Sequence, residues 1–221
     1  MVMGRRALLL TTASLTGTGI AAGRSFAALP VPSGNMLAFR LIRRGSEIGR
    51  HTLTFEPRGD ALTVRVTVDA LVTLVSIPIV RYTHRAVEIW RDGKLISLTG
   101  ETDKNGQHEW VKAERGSEGL VVTGSKTQRY VPPDPVGVTS YWNKHLLDGP
   151  MISLEDGVLL RPQVTPRPPE SISLASGGSV PADHYNLSGS FNVDLWYDRT
   201  GTWASMAFSV ADGSTVQYER L

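Results

Sequence analysis

The chain has 221 residues, 23 basic and 21 acidic, with 41% hydrophobic and 20% charged residues, 22 glycines, 13 prolines and no cysteine. That composition suits one globular domain, or at most two small ones, and excludes long disordered tails, collagen-like repeats and low-complexity polymers. Without cysteine there are no disulfides, thiolate metal sites, thiol nucleophiles or thiol redox motifs.

Residues 1–27 read as a signal peptide. Arg5-Arg6 precede the apolar Ala7-Leu8-Leu9-Leu10, a Thr/Gly/Ala-rich stretch follows, and Ser25-Phe26-Ala27 forms a small-x-small cleavage site. The stretch is too weakly apolar to anchor in a bilayer. The paired arginines, with Arg24 before the cleavage site, are twin-arginine-like, although Gly4 stands where a Ser or Thr usually precedes the pair, so general secretory export stays open. Removing the three arginines of this segment from the 23 basic residues leaves 20 against 21 acidic, a net charge of −1 instead of +2. The mature chain therefore lacks the basic footprint of a nucleic-acid binder, and a periplasmic or secreted location is expected.

From about Met36 the chain alternates apolar and polar residues and breaks at turn residues every eight to fifteen positions, as antiparallel strands do. Leu37, Phe39 and Leu41 share one face, and Arg44-Gly45-Ser46 turns the chain into Ile48 to Phe55. Leu62, Val64, Val66 and Val68 alternate with Thr63, Arg65, Thr67 and Asp69, a strand with one wet face. Pro78 interrupts the apolar stretch Leu71 to Val80 and predicts a bend or an edge position, because proline donates no ladder bond. The strand Ile79 to Trp90 closes on Arg91-Asp92-Gly93-Lys94, whose Asp-Gly pair suits a tight hairpin. Strands Leu95 to Thr102, Gln107 to Glu114 and Leu120 to Tyr130 follow.

The Pro-rich segment Val131 to Gly137 breaks the meander, and Thr139 to Leu147 is the best helical stretch, with Tyr141, His145 and Leu146 on one side and Trp142 beside them. Arg161 to Pro169 reads as a second irregular loop. Strands resume at Ser179 to Ser188, Ser190 to Tyr197, Thr202 to Val210 and Thr215 to Arg220. The expected fold is mainly β: residues 28–221 as a single antiparallel meander of about ten to twelve strands, curled into a half-barrel or barrel, with one short helix. Connections too short for crossover helices exclude a parallel βαβ fold.

The run Tyr82 to Leu95 with Asp103-Lys104-Asn105-Gly106, the middle landmark Ser140-Tyr141-Trp142-Asn143, and the closing Gly189, Leu195-Trp196-Tyr197-Asp198, Gly201-Thr202-Trp203, Phe208, Asp212-Gly213-Ser214 and Tyr218 resemble a family of exported bacterial proteins of unknown function. The resemblance spans nearly all of the mature chain and implies a curved antiparallel sheet. At a greater distance such domains are similar to the half-barrels of periplasmic lipoprotein carriers, which cup an acyl chain against a helix. No functional residue transfers from either.

Motif searches leave few chemical candidates. HExxH, HxH and G-x-S-x-G are absent, and the glycines at 17, 19 and 23 that mimic a dinucleotide loop fall in the signal peptide. His51, His108, His145 and His184 read as surface histidines. Tyr82, His84, Glu88 and Trp90 share one face of a regular strand, but His84 and Glu88 lie about 13 Å apart at 3.3 Å per residue, too far to share a metal. That face offers polar anchors to a ligand, and the helix residues Tyr141, Trp142 and His145 together with Trp196 complete the candidate ligand-binding set. No cofactor or metal is expected.

These features predict a carrier that holds a lipid or another hydrophobic small molecule on the concave sheet face. An exported hydrolase or lyase is the alternative, and an envelope assembly factor acting through a sheet edge is a third. Nucleic acid is not an expected partner. An integral outer-membrane barrel is disfavoured by irregular strands and by the ending Tyr218-Glu219-Arg220-Leu221, so membrane contact is expected to be peripheral.

Overall fold

The computed structural model describes residues 29–74 and 77–221; the segment read as a signal peptide lies outside them. Sixteen strands occur in chain order among these residues: β1 Met36–Arg43, β2 Ser46–Arg58, β3 Ala61–Leu74, β4 Ile77–Arg91, β5 Lys94–Lys104, β6 Gln107–Gly116, β7 Gly119–Gly124, β8 Thr127–Tyr130, β9 Gly137–Val138, β10 Met151–Ile152, β11 Leu159–Leu160, β12 Gln163–Ser173, β13 Ser179–Ser188, β14 Val193–Asp198, β15 Trp203–Ser209 and β16 Thr215–Arg220. Thirteen form one antiparallel sheet in the order β12-β13-β14-β15-β16-β1-β2-β3-β4-β5-β6-β7-β8. Its two ends do not pair, so the sheet is an open half-barrel.

Period-two patterning builds these strands. The β1 burial pattern alternates, with Leu37, Phe39 and Leu41 buried, and β3 repeats it with Leu62, Val64, Val66 and Val68. Asp92 and Gly93 both take positive φ, 50° and 72°, and Asn105 and Gly106 do the same at 56° and 84°, the geometry that lets two residues turn a twisted hairpin. Pairing of β16 with β1 places the chain's last strand beside its first in the middle of the sheet.

The segment between β8 and β12 does not extend the large sheet. It crosses the concave face as a three-stranded patch in the order β11-β10-β9, with β9 and β10 parallel, and drives Val136, Val138, Trp142, Leu147, Met151, Ile152 and Leu154 into the core. Two glycines permit this close approach. A Cβ on Gly100 of β5 would stand 2.4 Å from the Leu154 carbonyl oxygen, and one on Gly124 of β7 would stand 2.1 Å from that of Asp156.

Three expectations change. Strands are more numerous than ten to twelve, because the crossing segment contributes three short ones and the Pro-rich stretch from Arg161 forms most of β12. β12 is the outermost strand, where a proline need not donate to a neighbour, so Pro166, Pro168 and Pro169 fit there and blunt the open edge. The helix expected over Thr139 to Leu147 is only a single 3-10 turn, Lys144–Leu146, capped by Asn143, whose side chain accepts from the His145 N–H. Pro78 sits opposite Thr73, next to an irregularity in the β3–β4 register, and β4 is interior to the sheet.

A cavity between the sheet and its crossing segment

Successive rows of inward side chains line a cavity of about 950 Å³ on the concave face. The outer row holds Arg43, Val72 and Val80; Val80 is 38% exposed and marks the mouth. The next row runs across Tyr218, Leu41, Gly49, Ala70, Tyr82 and Lys104, which are register partners from β16 to β5. The floor row runs across Phe39, His51, Val68, His84, Thr102 and Glu109. Tyr141, Ser153, Leu154, Glu155 and Leu160 of the crossing segment form the opposite wall, and Phe191, Met206 and Phe208 close the side. The volume falls in the range of small-molecule sites, and most of the lining is aliphatic or aromatic.

The floor histidines are buried, 6% and 3% exposed for His51 and His84. His51 lies among aromatic rings, with its centroid 5.4 Å from Trp203, 5.6 Å from Tyr218 and 6.2 Å from Phe39. Neither of its nitrogens has a hydrogen-bond partner. His84 Nδ1 shares a 2.8 Å hydrogen bond with Thr102 Oγ1, while Nε2 has no partner. Burial holds the His51 imidazole down to about 3, with His84 adding to the effect, and burial likewise lowers His84 to about 4, so both rings are neutral at pH 7.

One polar cluster interrupts the apolar wall. The Tyr82 hydroxyl donates to Glu155 Oε1 at 2.7 Å, and Lys104 Nζ bonds Glu155 Oε2 and lies 3.6 Å from Glu109. Burial and then the Glu155 carboxylate push the Tyr82 phenol well above its usual value, so it remains a donor. Tyr141 adopts φ = 56°, an uncommon conformation for a bulky residue, and its carbonyl accepts a 2.6 Å hydrogen bond from the Tyr197 hydroxyl. That bond fixes the crossing segment where its Tyr141 ring reaches the cavity.

Below the floor, Glu88 is fully buried and accepts from two indoles on its Oε2: Trp90 at 2.7 Å and Trp142 at 3.0 Å. The two rings meet edge to face at 5.7 Å. Glu88 Oε1 and the Ser140 hydroxyl have no partner. Burial raises the Glu88 carboxyl above its ordinary range, and the Trp142 indole, the neighbouring Ser140 hydroxyl and the Trp90 indole partly oppose that shift. This triad pins the crossing segment to β4.

The chain belongs to the family described as a domain of unknown function, DUF6134. The match covers residues 39–221, from within β1 to the end of the chain. It therefore contains almost the whole sheet, the crossing segment and every cavity-lining residue of this DUF6134 protein. No curated protein matches the chain. Among the described residues, no helix is long and apolar enough to cross a membrane, and no group of three or more His, Asp or Glu side chains is placed to hold a metal ion.

The DUF6134 domain separates the residues singled out from sequence. Tyr82, His84 and Tyr141 line the cavity; Glu88, Trp90 and Trp142 lie beneath it in the buried triad. His145 is exposed on the 3-10 turn. Trp196 faces the other side of the sheet, in a separate small cluster with Ile172, Ala182 and Ala204, and stacks on His184 at 4.5 Å while donating to Glu170. His51, read as a surface histidine, is instead at the cavity floor. Its spacing with Leu53 and Phe55 carries the signal, since all three fall on one face of β2. Glu155 and Lys104 carried no signal, because they meet only when the crossing segment lies down on β5.

Proposed function

We propose that this DUF6134 protein is exported and carries a lipid or another hydrophobic small molecule in the cavity between its curved sheet and the crossing segment. The observation that carries the reading is the cavity itself: about 950 Å³, open at the Val72 and Val80 end and lined mainly by apolar side chains. Burial of a ligand's apolar surface there supplies about 25 cal/mol per Å² before the costs of association. Export rests on the Arg5-Arg6, apolar run and Ser25-Phe26-Ala27 pattern of the first 27 residues.

An exported enzyme is the second reading, favoured by Tyr82, Lys104 and Glu155 meeting near His84. Two arrangements weigh against it. Both Glu155 oxygens are engaged, and His84 spends Nδ1 on Thr102 without touching any hydroxyl placed as a nucleophile on a strand-to-helix turn.

Titration of the purified protein with the neutral, apolar dye Nile red tests the carrier reading. The expected result is one saturable site. Ala70→Trp, which drives an indole into the cavity wall, should weaken dye binding about tenfold or more while the protein stays folded. Non-saturable uptake, or equal binding by the Ala70→Trp protein, would overturn the reading.

A further inference from the structure

We propose that the cargo is an amphiphile bound head first: an uncharged headgroup carrying both a hydrogen-bond donor and an acceptor seats on His51 and His84, and the chain runs out between Val72 and Phe208 to the mouth. This inference deepens the carrier reading and rests on it.

The floor is the most demanding part of the cavity. Three imidazole nitrogens, two on His51 and Nε2 of His84, are buried and unpartnered, although an unpaired buried polar atom is costly and uncommon. Both histidines line the same space. They sit two strands apart with Val68 between them, so their backbones are about 9.5 Å apart and one headgroup between the rings can reach both. The imidazole χ2 torsion is broad and roughly two-fold, so a small turn of either ring brings a nitrogen to the cavity surface. A neutral imidazole offers one N–H and one lone pair, which match a hydroxyl, an amide or an undissociated acid.

Charge selects against an anionic head. The cations that line the cavity are committed, Lys104 to Glu155 and Arg43 to Asp212 and the Ser214 hydroxyl, and Arg85 next to His84 is paired with Asp69. Glu155, Asp156 and Asp212 also border the cavity, so a phosphate would enter among carboxylates, and among the described residues no free cation lines the cavity. From Val68 at the floor to Val72 at the mouth the wall runs four residues along β3, about 13 Å, and the inward β3 side chains over this distance, Val68, Ala70 and Val72, are apolar. A head at the mouth and a chain at the floor would leave the histidine nitrogens against methylenes.

Displacement of bound Nile red by three ligands with one common chain tests the orientation: dodecanol, chlorododecane and dodecyl phosphate. Dodecanol should displace the dye at about tenfold lower concentration than either of the others. The His51→Phe/His84→Leu protein, with displacement measured relative to its own dye affinity, should lose the preference for dodecanol over chlorododecane; if that protein does not fold, His51→Phe alone should reduce the preference. Equal displacement by all three ligands, or strongest displacement by dodecyl phosphate, overturns the head-first orientation and leaves the carrier reading standing. A wild-type protein with no saturable dye site overturns both.

Discussion

Lowering the pH from 7 to 5 should destabilise the folded protein, read as a fall in the urea midpoint, by less than the about 4 kcal/mol that its two floor histidines alone would cost, and His51→Phe should remove about 2 kcal/mol of that loss. The sign follows from the two floor histidines. Burial holds them down to about 3 and about 4 in the fold, against 6.5 for an unhindered imidazole. As pH falls, the unfolded chain therefore takes up their protons first. Their contribution is full above pH 6.5 and is lost progressively as pH drops toward the folded values. Each group costs about 1.4 kcal/mol per pH unit within that window. Glu88 acts in the opposite sense, because its raised carboxyl contributes stability that is full below the unfolded value and falls as pH rises through the folded one. Two histidines against one carboxyl leave a net loss on acidification. A urea midpoint that does not move between pH 7 and pH 5, or that moves equally in wild type and His51→Phe, would contradict neutral, buried floor imidazoles.

Glu88→Leu should lower stability by about 3 kcal/mol or more, and Glu88→Gln by less. Oε2 of Glu88 is the acceptor for both the Trp90 and Trp142 indoles in a site that water does not reach. Leucine fills the space and leaves two buried N–H groups without a partner, at about 1–3 kcal/mol each. Glutamine keeps a carbonyl oxygen in place. Because Gln cannot ionise, its deficit relative to wild type should shrink as pH rises above the ordinary carboxylate range, where the buried Glu88 loses its advantage. Thermal unfolding at two pH values, followed by the near-ultraviolet signal of the tryptophans, reads both effects. A Glu88→Leu protein as stable as wild type would mean that the indoles find other acceptors and that the triad does not hold the crossing segment down.

Much of the sheet was legible because alternation is a local property. Leu37, Phe39 and Leu41, the Val64 to Val68 run and the Asp92-Gly93 turn each carry their structure within a few residues. The common face of Tyr82, His84, Glu88 and Trp90 followed from parity alone, and all four do point to the concave side. Parity does not say how far along that face the cavity extends, so it could not divide Tyr82 and His84 at the cavity from Glu88 and Trp90 beneath it. It also could not choose a side for Trp196: its separation from Tyr197 was readable, but the choice of the inward ring is made by β13 and β15, which pair on either side of β14.

The crossing segment was least legible, for a physical reason. It has almost no periodicity, and its place is set by contacts with distant strands: the glycines of β5 and β7, the Glu88 carboxylate and the Tyr197 hydroxyl. The Thr139 to Leu147 pattern resembles a helix because Tyr141, His145 and Leu146 are spaced to share one side of it, with Trp142 beside them. The chain instead spends those residues on a left-handed Tyr141, a side-chain cap from Asn143 and a single tight turn. The prolines of β12 misled in the opposite direction, since an edge strand tolerates residues that an interior strand excludes.

Native mass spectrometry of the gently purified protein, with organic extraction of the same sample, tests the carrier claim most directly. The cavity predicts a one-to-one complex whose extracted component is an apolar chain with an uncharged polar head, absent from the Ala70→Trp protein. A clean ligand-free mass in the wild type, together with no saturable binding of Nile red, would contradict the claim and return the Tyr82, Lys104 and Glu155 cluster to consideration as the centre of an enzyme.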